Sequence, residues 1–485
     1  MSLDLSPVGR NNDNTKFTLT PDQDYASGHI IDFIAAPFNP AKYVIGLKGP
    51  GGSGKTYTLN YIIRNCIYSN SVIKCCTPTH KACRVLSEAL GNRVVETIQS
   101  TFGFRLDMRL EDFDPLRPQF NPMAKVKLDN IKLLIIDEAS MIPAGVVTYI
   151  CNKCKELEIK VIFTGDPHQL APVNESRSIA FLRCFINYEL KEIVRQDKSN
   201  PITPLLQILR KDIDHRSFKF IEALNRNIGK RHYADGGGFT VLRPAEFKER
   251  VDSTFHDERY TKNIDMYRVL GYTNNCIAGW NNYIRNSIIK DAKNHIITKN
   301  DLIMSYETIV NEFMESVIDN SEEYIVNDIA NFVDPDYGFK GYLVKFQLVH
   351  GGMVTIPLFI IDHRDRNSIV YYHKVITELH KTAKMANGGT RVARWKEYYA
   401  FKKKYLIAAN VVSGDKIIHK RDIDYGFSLT AHKSQGSTYQ SVFVDVIDML
   451  YDKNNQPYAN ADDLLRRLYV ACSRPRTELV LCYGK

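Results

Sequence analysis

The residues Gly49-Pro50-Gly51-Gly52-Ser53-Gly54-Lys55-Thr56 carry the strongest structural signal in this chain. They match the pattern G-x-x-x-x-G-K-T at every specified position. The apolar run from Tyr43 to Leu47 predicts a strand before them, and Thr58 to Ile67 predicts a helix after them. A glycine-rich turn between a strand and a helix directs backbone N–H groups at one point, where they hold phosphate oxygens. The alternative is an ordinary glycine-rich turn, which the complete match and its flanks disfavour.

Each polar group of this loop has a predicted role. Lys55 is predicted to reach the β- and γ-phosphates of a nucleotide, and the Thr56 hydroxyl to ligate Mg²⁺. The apolar strand Leu133 to Ile136 ends at Asp137 and Glu138. Carboxylates at the end of such a strand lie where open α/β sheets bind ligands. We therefore expect Asp137 to hold Mg²⁺ and Glu138 to orient the attacking water, rather than to form a strand end capped by solvent.

Length and composition limit the class of protein. A chain of 485 residues predicts about three domains, and the hydrophobic content of 44% and charged content of 25% are globular values. No apolar run reaches the length of a membrane span, so no membrane partner is expected. The polar segment from Met1 to Thr15 is read as a disordered tail and not as a secretory signal. The formal charge of +9 permits a polyanionic partner without requiring one.

The cysteines indicate a reducing, cytoplasmic compartment. Cys75 and Cys76 are adjacent within a strand-like run, a placement typical of buried thiols and not of a disulfide framework. Cys151 and Cys154 have C-x-x-C spacing, but no second pair of this form follows. Because a zinc site needs about four ligands, we interpret this spacing as chance on a helix.

Further strands and turns predict two α/β domains. Strands alternate with helices up to about residue 190, which indicates one doubly wound domain. A second α/β pattern contains the predicted strands Tyr267 to Gly271, Ser441 to Val446 and Leu479 to Tyr483. Between residues 300 and 420, short segments such as Gly341 to Phe346 and Met353 to Leu358 predict an inserted β module. A basic helical stretch around Trp395 follows it, and a solvated amphipathic helix is its simplest interpretation.

Three polar clusters follow the first domain. Leu190 to Arg195 ends in an arginine, Leu429 to Thr438 is a basic turn, and Leu468 to Arg476 ends a helix with two arginines. Arginines that reach a γ-phosphate from a second domain stabilise transition-state charge and couple hydrolysis to domain closure. Taken singly, each of these arginines is an ordinary surface charge.

Taken together, the motifs resemble a known family. The chain contains in order a Q-motif at Leu19 to Gln23, GPGGSGKT, TPTHKA, IIDEAS, GDPHQLAPV, LKEIVR, YTNN, TAHKSQGST and YVACSRPR. This set is similar to that of superfamily 1 helicases of the 5′-to-3′ branch, the group of RecD-like and Dda-like phage DNA helicases. It runs from Leu19 to Arg476, nearly the whole chain.

The resemblance implies an α/β fold of two RecA-like P-loop domains, with a pin-like insertion in the first. The second would carry a small SH3-like β insertion with a helical extension. The implied domains are 16–190 with the pin-like insertion 101–129, then 191–299 with 421–485, and the inserted module 300–420.

The resemblance also assigns roles to residues. It implies that Gln23 reads adenine, that Gln169 senses the γ-phosphate, and that Arg195 and Arg474 are arginine fingers. It implies that Gln435 and Gly436 couple the nucleotide to DNA, and that Phe113 and Phe120 are candidates for the tip of the pin. Contacts to single-stranded nucleic acid are implied for Thr77, Pro78, Thr79, His80, Thr97, Thr273, Asn274, Thr430, His432 and Lys433. Gln99 stands where the family usually has His.

The implied activity is ATP-dependent unwinding of duplex DNA, with ATP and Mg²⁺ as cofactors and 5′-to-3′ movement on single-stranded DNA. The implied partners are single-stranded DNA, duplex junctions and a single-strand-binding or replication protein. The protein would act as a monomer in DNA replication, recombination or repair, in the cytoplasm of a bacteriophage-infected host. A P-loop phosphotransferase and an NTPase acting on RNA are the alternatives. A clamp without hydrolysis is disfavoured by Glu138 and Arg474.

Overall fold

The structure is a computed structural model. It describes residues 19–484 except for 105–124, 173, 174, 176, 195–198, 235, 311–315, 350, 351, 353, 409, 414 and 415. The described residues fall into two compact units. Unit 1 contains the residues up to 249 together with 270–273 and those from 430 onward, and unit 2 contains 250–269 and 274–429.

Helices and strands alternate along much of the described chain. The helices are α1 (Pro21–Ala35), α2 (Lys55–Asn65), α3 (His80–Ala89), α4 (Ile98–Phe102), α5 (Ala144–Glu156), α6 (Ile202–His215), α7 (Lys219–Asn227), α8 (Pro244–Phe255), α9 (Glu258–Lys262), α10 (Asn274–Ile288), α11 (Arg366–Met385), α12 (Gly389–Lys404), α13 (Val446–Leu450) and α14 (Ala461–Cys472). The strands up to residue 271 are β1 (Val44–Lys48), β2 (Ile73–Thr77), β3 (Val95–Thr97), β4 (Leu133–Ile136), β5 (Lys160–Gly165), β6 (Ile186–Glu189), β7 (Arg231–Ala234), β8 (Gly237–Leu242) and β9 (Tyr267–Gly271). The remaining strands are β10 (Leu302–Ser305), β11 (Ile309–Val310), β12 (Ser316–Ile318), β13 (Glu323–Val333), β14 (Lys340–Leu348), β15 (Leu358–Ile361), β16 (Tyr405–Ile407), β17 (Val411–Ser413), β18 (Lys416–His419), β19 (Ile423–Tyr425), β20 (Ser428–Thr430), β21 (Tyr439–Asp445) and β22 (Pro475–Cys482).

The first sheet of unit 1 is parallel throughout. Its strand order is β3-β2-β4-β5-β1-β6, and each neighbouring pair is parallel. Side chains of β4 alternate between two hydrophobic cores, with Leu133 and Ile135 in one and Leu134 and Ile136 in the other. Both faces are therefore covered, as parallel sheets require. The predicted doubly wound arrangement is confirmed.

The second α/β region of unit 1 is built in the same way. Strands β21, β22 and β8 are parallel neighbours, and β7 pairs with β8 in the antiparallel direction. The strands predicted at Ser441 to Val446 and Leu479 to Tyr483 correspond to β21 and β22. Strands β9 and β20 cross the boundary between the two units along the chain.

Unit 2 contains the predicted β module. Its sheet has the order β16-β15-β14-β13-β10-β19, in which β13 and β14 form the longest antiparallel pair. The helices α11 and α12 follow β15. The SH3-like character of this module and the proposed domain boundaries stay predictions.

One predicted strand is wrong. The segment before Leu358 belongs to no strand, and Ile356 within it is exposed. Instead, the N–H of Thr355 donates a hydrogen bond to the carbonyl oxygen of Phe346 at 2.8 Å. Pro357 explains the difference, because it lacks an N–H for a strand ladder, so β15 begins only after it.

The predicted burial of Cys75 and Cys76 is confirmed. Cys75 and Cys76 lie on β2 and point into opposite cores of the sheet. Cys151 and Cys154 are buried on α5, and no described cysteine forms a disulfide. Within the described residues, no cluster of His, Cys, Asp and Glu has a metal-binding arrangement. None of the described helices is both long enough and apolar enough to span a membrane.

Lys160 joins the first sheet to α1. It is buried at the start of β5, and its ammonium group donates to the carbonyl oxygens of Phe33 (2.7 Å) and Ile34 (2.9 Å) and to that of Ala36. Burial lowers the pKa of Lys160, and the end of a helix is where a cation is most favourable.

We expect Lys160→Met to lower the free energy of unfolding by about 2 kcal/mol, because the last carbonyls of α1 lose a charged donor. Urea unfolding followed by circular dichroism measures the change. Lys153→Met is the matched control, since Lys153 forms an ion pair with Glu156 at the surface. Equal stability of both variants would show that the Lys160 contact contributes nothing.

Candidate nucleotide site and nucleic-acid interface

The first sheet brings the predicted nucleotide residues to one edge. Lys48, the last residue of β1, is in register with Gly165 of β5, and Ile136 of β4 is in register with Phe163. Parallel strands therefore end side by side, with the P-loop after β1 and Asp137 after β4. This edge is where open α/β sheets place ligands.

The backbone of the P-loop requires glycine. Gly54 has φ +79° and Gly52 has φ +85°, in the left-handed region that side chains disfavour. A Cβ on Gly54 would lie 2.4 Å from Nε2 of Gln23, whereas one on Gly51 would meet nothing within 4 Å. Lys55 opens α2, and its ammonium group donates to the carbonyl oxygens of Gly49 (2.9 Å) and Pro50 (3.0 Å). The predicted strand–loop–helix is confirmed, although α2 begins and ends earlier than the pattern indicated.

The Gln23 side chain forms hydrogen bonds with two different parts of the chain. Its Oε1 accepts a hydrogen bond from the N–H of Thr20 at 3.0 Å, and Thr20 caps α1 in return. Its Nε2 donates to the carbonyl oxygen of Ser53 in the P-loop at 2.9 Å. Gln23 therefore takes part in the capping of α1, and the same side chain also contacts the phosphate loop. Its role in reading adenine stays a prediction.

Asp137 and Glu138 are two half-buried carboxylates that follow β4. Burial and the neighbouring charge of Glu138 raise the pKa of Asp137 to about 7, against the opposing effect of Lys55. Glu138 has φ +53°, which is unusual for a residue with a side chain and is found at functional sites. A carboxylate beside the P-loop is the hard oxygen ligand that Mg²⁺ prefers. These donors fit a magnesium-bound nucleotide.

Gln169 follows β5 in the turn that begins at Asp166. Its backbone N–H donates to the carbonyl oxygen of Asp166 at 3.1 Å. The side chain is buried, and its Oε1 has no hydrogen-bond partner among the described residues. A buried amide without a partner requires an explanation, and a ligand at this edge supplies one. The placement fits the predicted phosphate sensor.

A network centred on Asp166 joins this edge to the second α/β region. Tyr469 on α14 donates its hydroxyl to Oδ2 of Asp166 at 2.7 Å. Arg210 on α6 lies 3.7 Å from the same carboxylate and 3.4 Å from the Tyr469 hydroxyl. Although burial opposes ionisation, the hydrogen bond from His168 and the charges of Lys55 and Arg210 lower the pKa of Asp166 to about 2. The partners of Asp166 therefore stabilise its ionised form.

Arg466, one helical turn before Tyr469, strengthens this junction. Its guanidinium donates to the carbonyl oxygens of Pro167 (2.5 Å) and Gln169 (3.1 Å). Asp462 holds the other side of the guanidinium at 2.8 Å. Because residues three apart share one helix face, α14 packs two polar side chains onto the turn that carries Gln169.

Arg474 lies just after α14 and is buried. Its guanidinium donates to the carbonyl oxygens of Val470 (3.0 Å) and Ser437 (3.2 Å) and to Oγ of Ser473 (2.8 Å). Burial lowers the pKa of Arg474, and the negative charges of Glu138 and Asp166 oppose that effect. The role of Arg474 as an arginine finger stays a prediction.

Arg195, the other predicted finger, lies outside the described residues, as do the pin candidates Phe113 and Phe120. The segment just before Arg195 contacts the P-loop, since the N–H of Val194 donates to the carbonyl oxygen of Gly52 at 2.8 Å. The N–H groups of Lys191 and Glu192 bind the carboxylate of Asp22.

The residues of the first domain that are predicted to bind nucleic acid lie near strand ends. In the structure, several of them form hydrogen bonds with other residues of the chain. Thr77 is buried, and its hydroxyl donates to the carbonyl oxygen of Thr79 at 2.8 Å. Thr79 caps α3 and Thr97 caps α4 through their side-chain oxygens. Pro78 is also buried, and His80 begins α3. Their contacts with nucleic acid stay predictions.

Thr273 and Asn274, which are also predicted to bind nucleic acid, form hydrogen bonds within the protein. The carboxylate of Asp448 accepts hydrogen bonds from the N–H groups of Tyr272 (2.6 Å) and Thr273 (2.9 Å), and from the Thr273 hydroxyl (2.5 Å). Asn274, in unit 2, accepts a hydrogen bond from Arg421 at 2.8 Å.

The segment from Thr430 to Gly436 is the predicted polar turn, between β20 and β21. Thr430 accepts from the N–H of Lys433 at 3.3 Å, and burial lowers the pKa of His432. Gln435 is buried and its Nε2 lacks a hydrogen-bond partner among the described residues. Gly436 has φ +74° and lies near Ala82 of α3, at 3.9 Å from an added Cβ. This turn therefore lies beside α3.

Sequence reasoning missed the residues that join these parts. No role was predicted for Arg210, Arg466 or Tyr469, although Tyr469 lies in a recognised motif. Asp448 and Arg467 were also missed. The Arg467 guanidinium lies between the rings of Tyr272 (3.6 Å) and Tyr458 (4.4 Å) and forms no hydrogen bond within the described residues. Only the i, i+3 spacing of Arg466 and Tyr469 on one helix face was available as a signal.

Comparison with known proteins supports the assignment made from the motifs. A family model described as an AAA domain matches residues 33–227. The uncharacterized protein R530 of Acanthamoeba polyphaga mimivirus is 25% identical over 96% of this chain and 99% of its own length. The RecBCD enzyme subunit RecD of Buchnera aphidicola (from Acyrthosiphon pisum) is 25% identical over 83% of this chain and 64% of its own length. The ATP-dependent DNA helicase Dda of phage T4 is 23% identical over 53% of this chain and 55% of its own length.

The fold has a counterpart among solved structures. The Pif1 helicase from Bacteroides, in complex with ADP-AlF3 and single-stranded DNA, has a TM-score of 0.50 and 17% identity, over 96% of this chain and 92% of that one. This likeness supports a fold with two RecA-like α/β regions. The ordered motifs and the relatives above make this chain similar to the superfamily 1 helicases of the 5′-to-3′ branch, the group of RecD-like and Dda-like proteins.

Proposed function

We propose that this protein is an ATP-dependent DNA helicase that moves 5′ to 3′ on single-stranded DNA and unwinds duplex DNA. The names of its relatives support the proposal, since Dda is an ATP-dependent DNA helicase and Pif1 was solved with a nucleotide analogue and single-stranded DNA. The alignments cover about two thirds of RecD and about half of Dda. The activity therefore also needs support from this chain's own residues.

One observation carries the proposal. The turn with Gln169 is held by Tyr469 and Arg466 of α14, and Arg474 follows the same helix. A change at the nucleotide edge is thereby connected to a second α/β region that contains predicted nucleic-acid contacts. A phosphotransferase needs no such connection, whereas a motor depends on it.

The residues of the nucleotide edge have separate tasks. Lys55, Thr56 and Asp137 would hold magnesium-bound ATP, with the P-loop N–H groups around its phosphates. Bound ATP supplies the free energy of phosphoanhydride hydrolysis. The Glu138 carboxylate would orient the attacking water, and Arg195 and Arg474 would offset negative charge. Gln23 would contact the base, while Gln169, Gln435 and Gly436 would couple nucleotide to DNA.

The proposed partners are single-stranded DNA and duplex junctions, with a single-strand-binding or replication protein nearby. Polar groups along strand ends suit contacts to the nucleic-acid backbone, which need no base readout. We propose that the protein acts as a monomer in replication, recombination or repair. A cytoplasmic, phage-infected bacterial setting is supported by the T4 relative alone.

Lys55→Ala is expected to reduce ATP hydrolysis at least a hundredfold, because the P-loop lysine is the cation that contacts the β- and γ-phosphates. Binding of oligo(dT), measured by fluorescence anisotropy, should stay unchanged. Lys42→Ala is the control, since Lys42 is exposed before β1, at the opposite end of the sheet. Full unwinding by Lys55→Ala would refute the P-loop assignment.

Unwinding of duplexes with either a 5′ or a 3′ single-stranded overhang tests the polarity. We expect strand separation only from the 5′ overhang, together with strong stimulation of ATP hydrolysis by single-stranded DNA. ATP hydrolysis that does not respond to DNA would favour a phosphotransferase. Stimulation by RNA alone would favour the RNA alternative.

Tyr469→Phe tests the connection itself. Loss of one buried hydrogen bond to a charged group should slow DNA-stimulated ATP turnover about tenfold, equivalent to about 1.4 kcal/mol, with little change in KM for ATP. Tyr43→Phe is the matched control, because it loses a hydroxyl contact to Cys151 at the other end of the sheet. Wild-type turnover in Tyr469→Phe would mean that α14 is not coupled to the nucleotide edge.

A further inference from the structure

The net charge of the protein is concentrated in one helical hairpin. The hairpin, residues 366–404, consists of α11, α12 and their short connection. It contains ten Lys and Arg residues against two Glu, a net charge of +8, while the whole chain has +9. The other 446 residues are therefore nearly neutral, at +1. Such segregation differs from an ordinary protein surface, where both signs are interspersed.

The cations of α11 form a single stripe, the α11 basic face. At 3.6 residues per turn, its four cations fall within an arc of about 80° and extend over about 27 Å. The opposite side of the helix is buried, through Tyr372, Ile376 and Ala383. All four cations are exposed: Arg366, Lys374, Lys381 and Lys384.

The α11 basic face is held rigidly. Asp365 caps the helix through the N–H of Ser368 at 2.9 Å. The rings of Tyr372 and Phe401 stack at 5.4 Å between the two helices, and Phe339 of the β module packs against both. A rigid row of charges presents a fixed spacing to a partner, at a low cost in conformational entropy.

The charges of this face are not compensated within the described residues. None of its four cations lies in an ion pair there, whereas Arg394 and Lys404 of α12 pair with Glu397 and Asp336. Lys381 and Lys384 are three residues apart, a spacing at which like charges destabilise a helix. An external anion would remove this repulsion.

We propose that the α11 basic face binds the phosphate backbone of double-stranded DNA. The stripe matches the length of about eight base pairs at 3.4 Å each. The arc contains no Phe, Tyr or Trp, and single-strand tracks depend on such rings for base stacking. A straight, rigid row of cations instead suits a stiff duplex. The inference rests on the proposed function, since a helicase has duplex DNA beside its single-strand track.

The test uses the full-length protein with Lys374→Gln, Lys381→Gln and Lys384→Gln combined. Gln has nearly the helix propensity of Lys, so the helix should persist. Affinity for a short blunt duplex is measured by anisotropy at several salt concentrations. We expect at least tenfold weaker binding, and a salt-dependence slope that falls by about 2.7 in magnitude for three lost phosphate contacts. ATP hydrolysis stimulated by oligo(dT) should not change.

Two further variants control for charge and for folding. Lys211→Gln, Lys219→Gln and Lys230→Gln remove the same charge from exposed positions elsewhere and should leave duplex affinity nearly unchanged. Replacing the three α11 lysines by Arg should retain binding.

Unchanged duplex affinity in the Gln variant would overturn the proposal, and so would equal weakening by both Gln variants. An equal loss of oligo(dT)-stimulated hydrolysis would place the face on the single-strand track instead. If the wild type binds duplex through this face but neither hydrolyses ATP nor unwinds, the proposed function fails while this inference stands.

Discussion

The buried carboxylate of Asp166 is the interaction on which the site depends. It ends β5 at the nucleotide edge and accepts the Tyr469 hydroxyl from a helix 303 residues later in the chain. A buried anion is stable only when it is paired and hydrogen-bonded, and Arg210 and Tyr469 meet that need. Separation of α6 and α14 from the first sheet would therefore leave the Asp166 carboxylate without these partners.

The parallel sheet explains why so many functional groups lie near this carboxylate. Two hydrophobic cores cover its faces, and the P-loop, Asp137 and Asp166 follow the ends of neighbouring strands. Helix α14 then adds groups from outside, with Arg466 on the turn that carries Gln169. The predicted nucleotide residues of the first sheet and the residues of α14 are thus in direct contact. A conformational switch requires such packing between the parts that it couples.

Local patterns identified much of this arrangement. The P-loop and the strand before Asp137 follow from spacing and turn chemistry. The prediction of a strand from Met353 to Leu358 was wrong because it followed the apolar alternation alone. Pro357 lacks the N–H that a strand ladder needs. Tyr469 and Arg210 could not be found, because a buried pair between distant segments leaves no periodic signal. Gln23 illustrates the reverse case, in which one side chain satisfies both a local cap and a distant loop.

The central claim is that Asp166 and Tyr469 act as one unit in the ATP cycle. A double-mutant cycle on DNA-stimulated ATP turnover, with Asp166→Asn, Tyr469→Phe and the double variant, tests it most directly. Coupled residues predict strong non-additivity, in which the double variant is hardly slower than the slower single variant and the coupling energy is about 1–2 kcal/mol. Effects that add to within about 0.5 kcal/mol would contradict the claim.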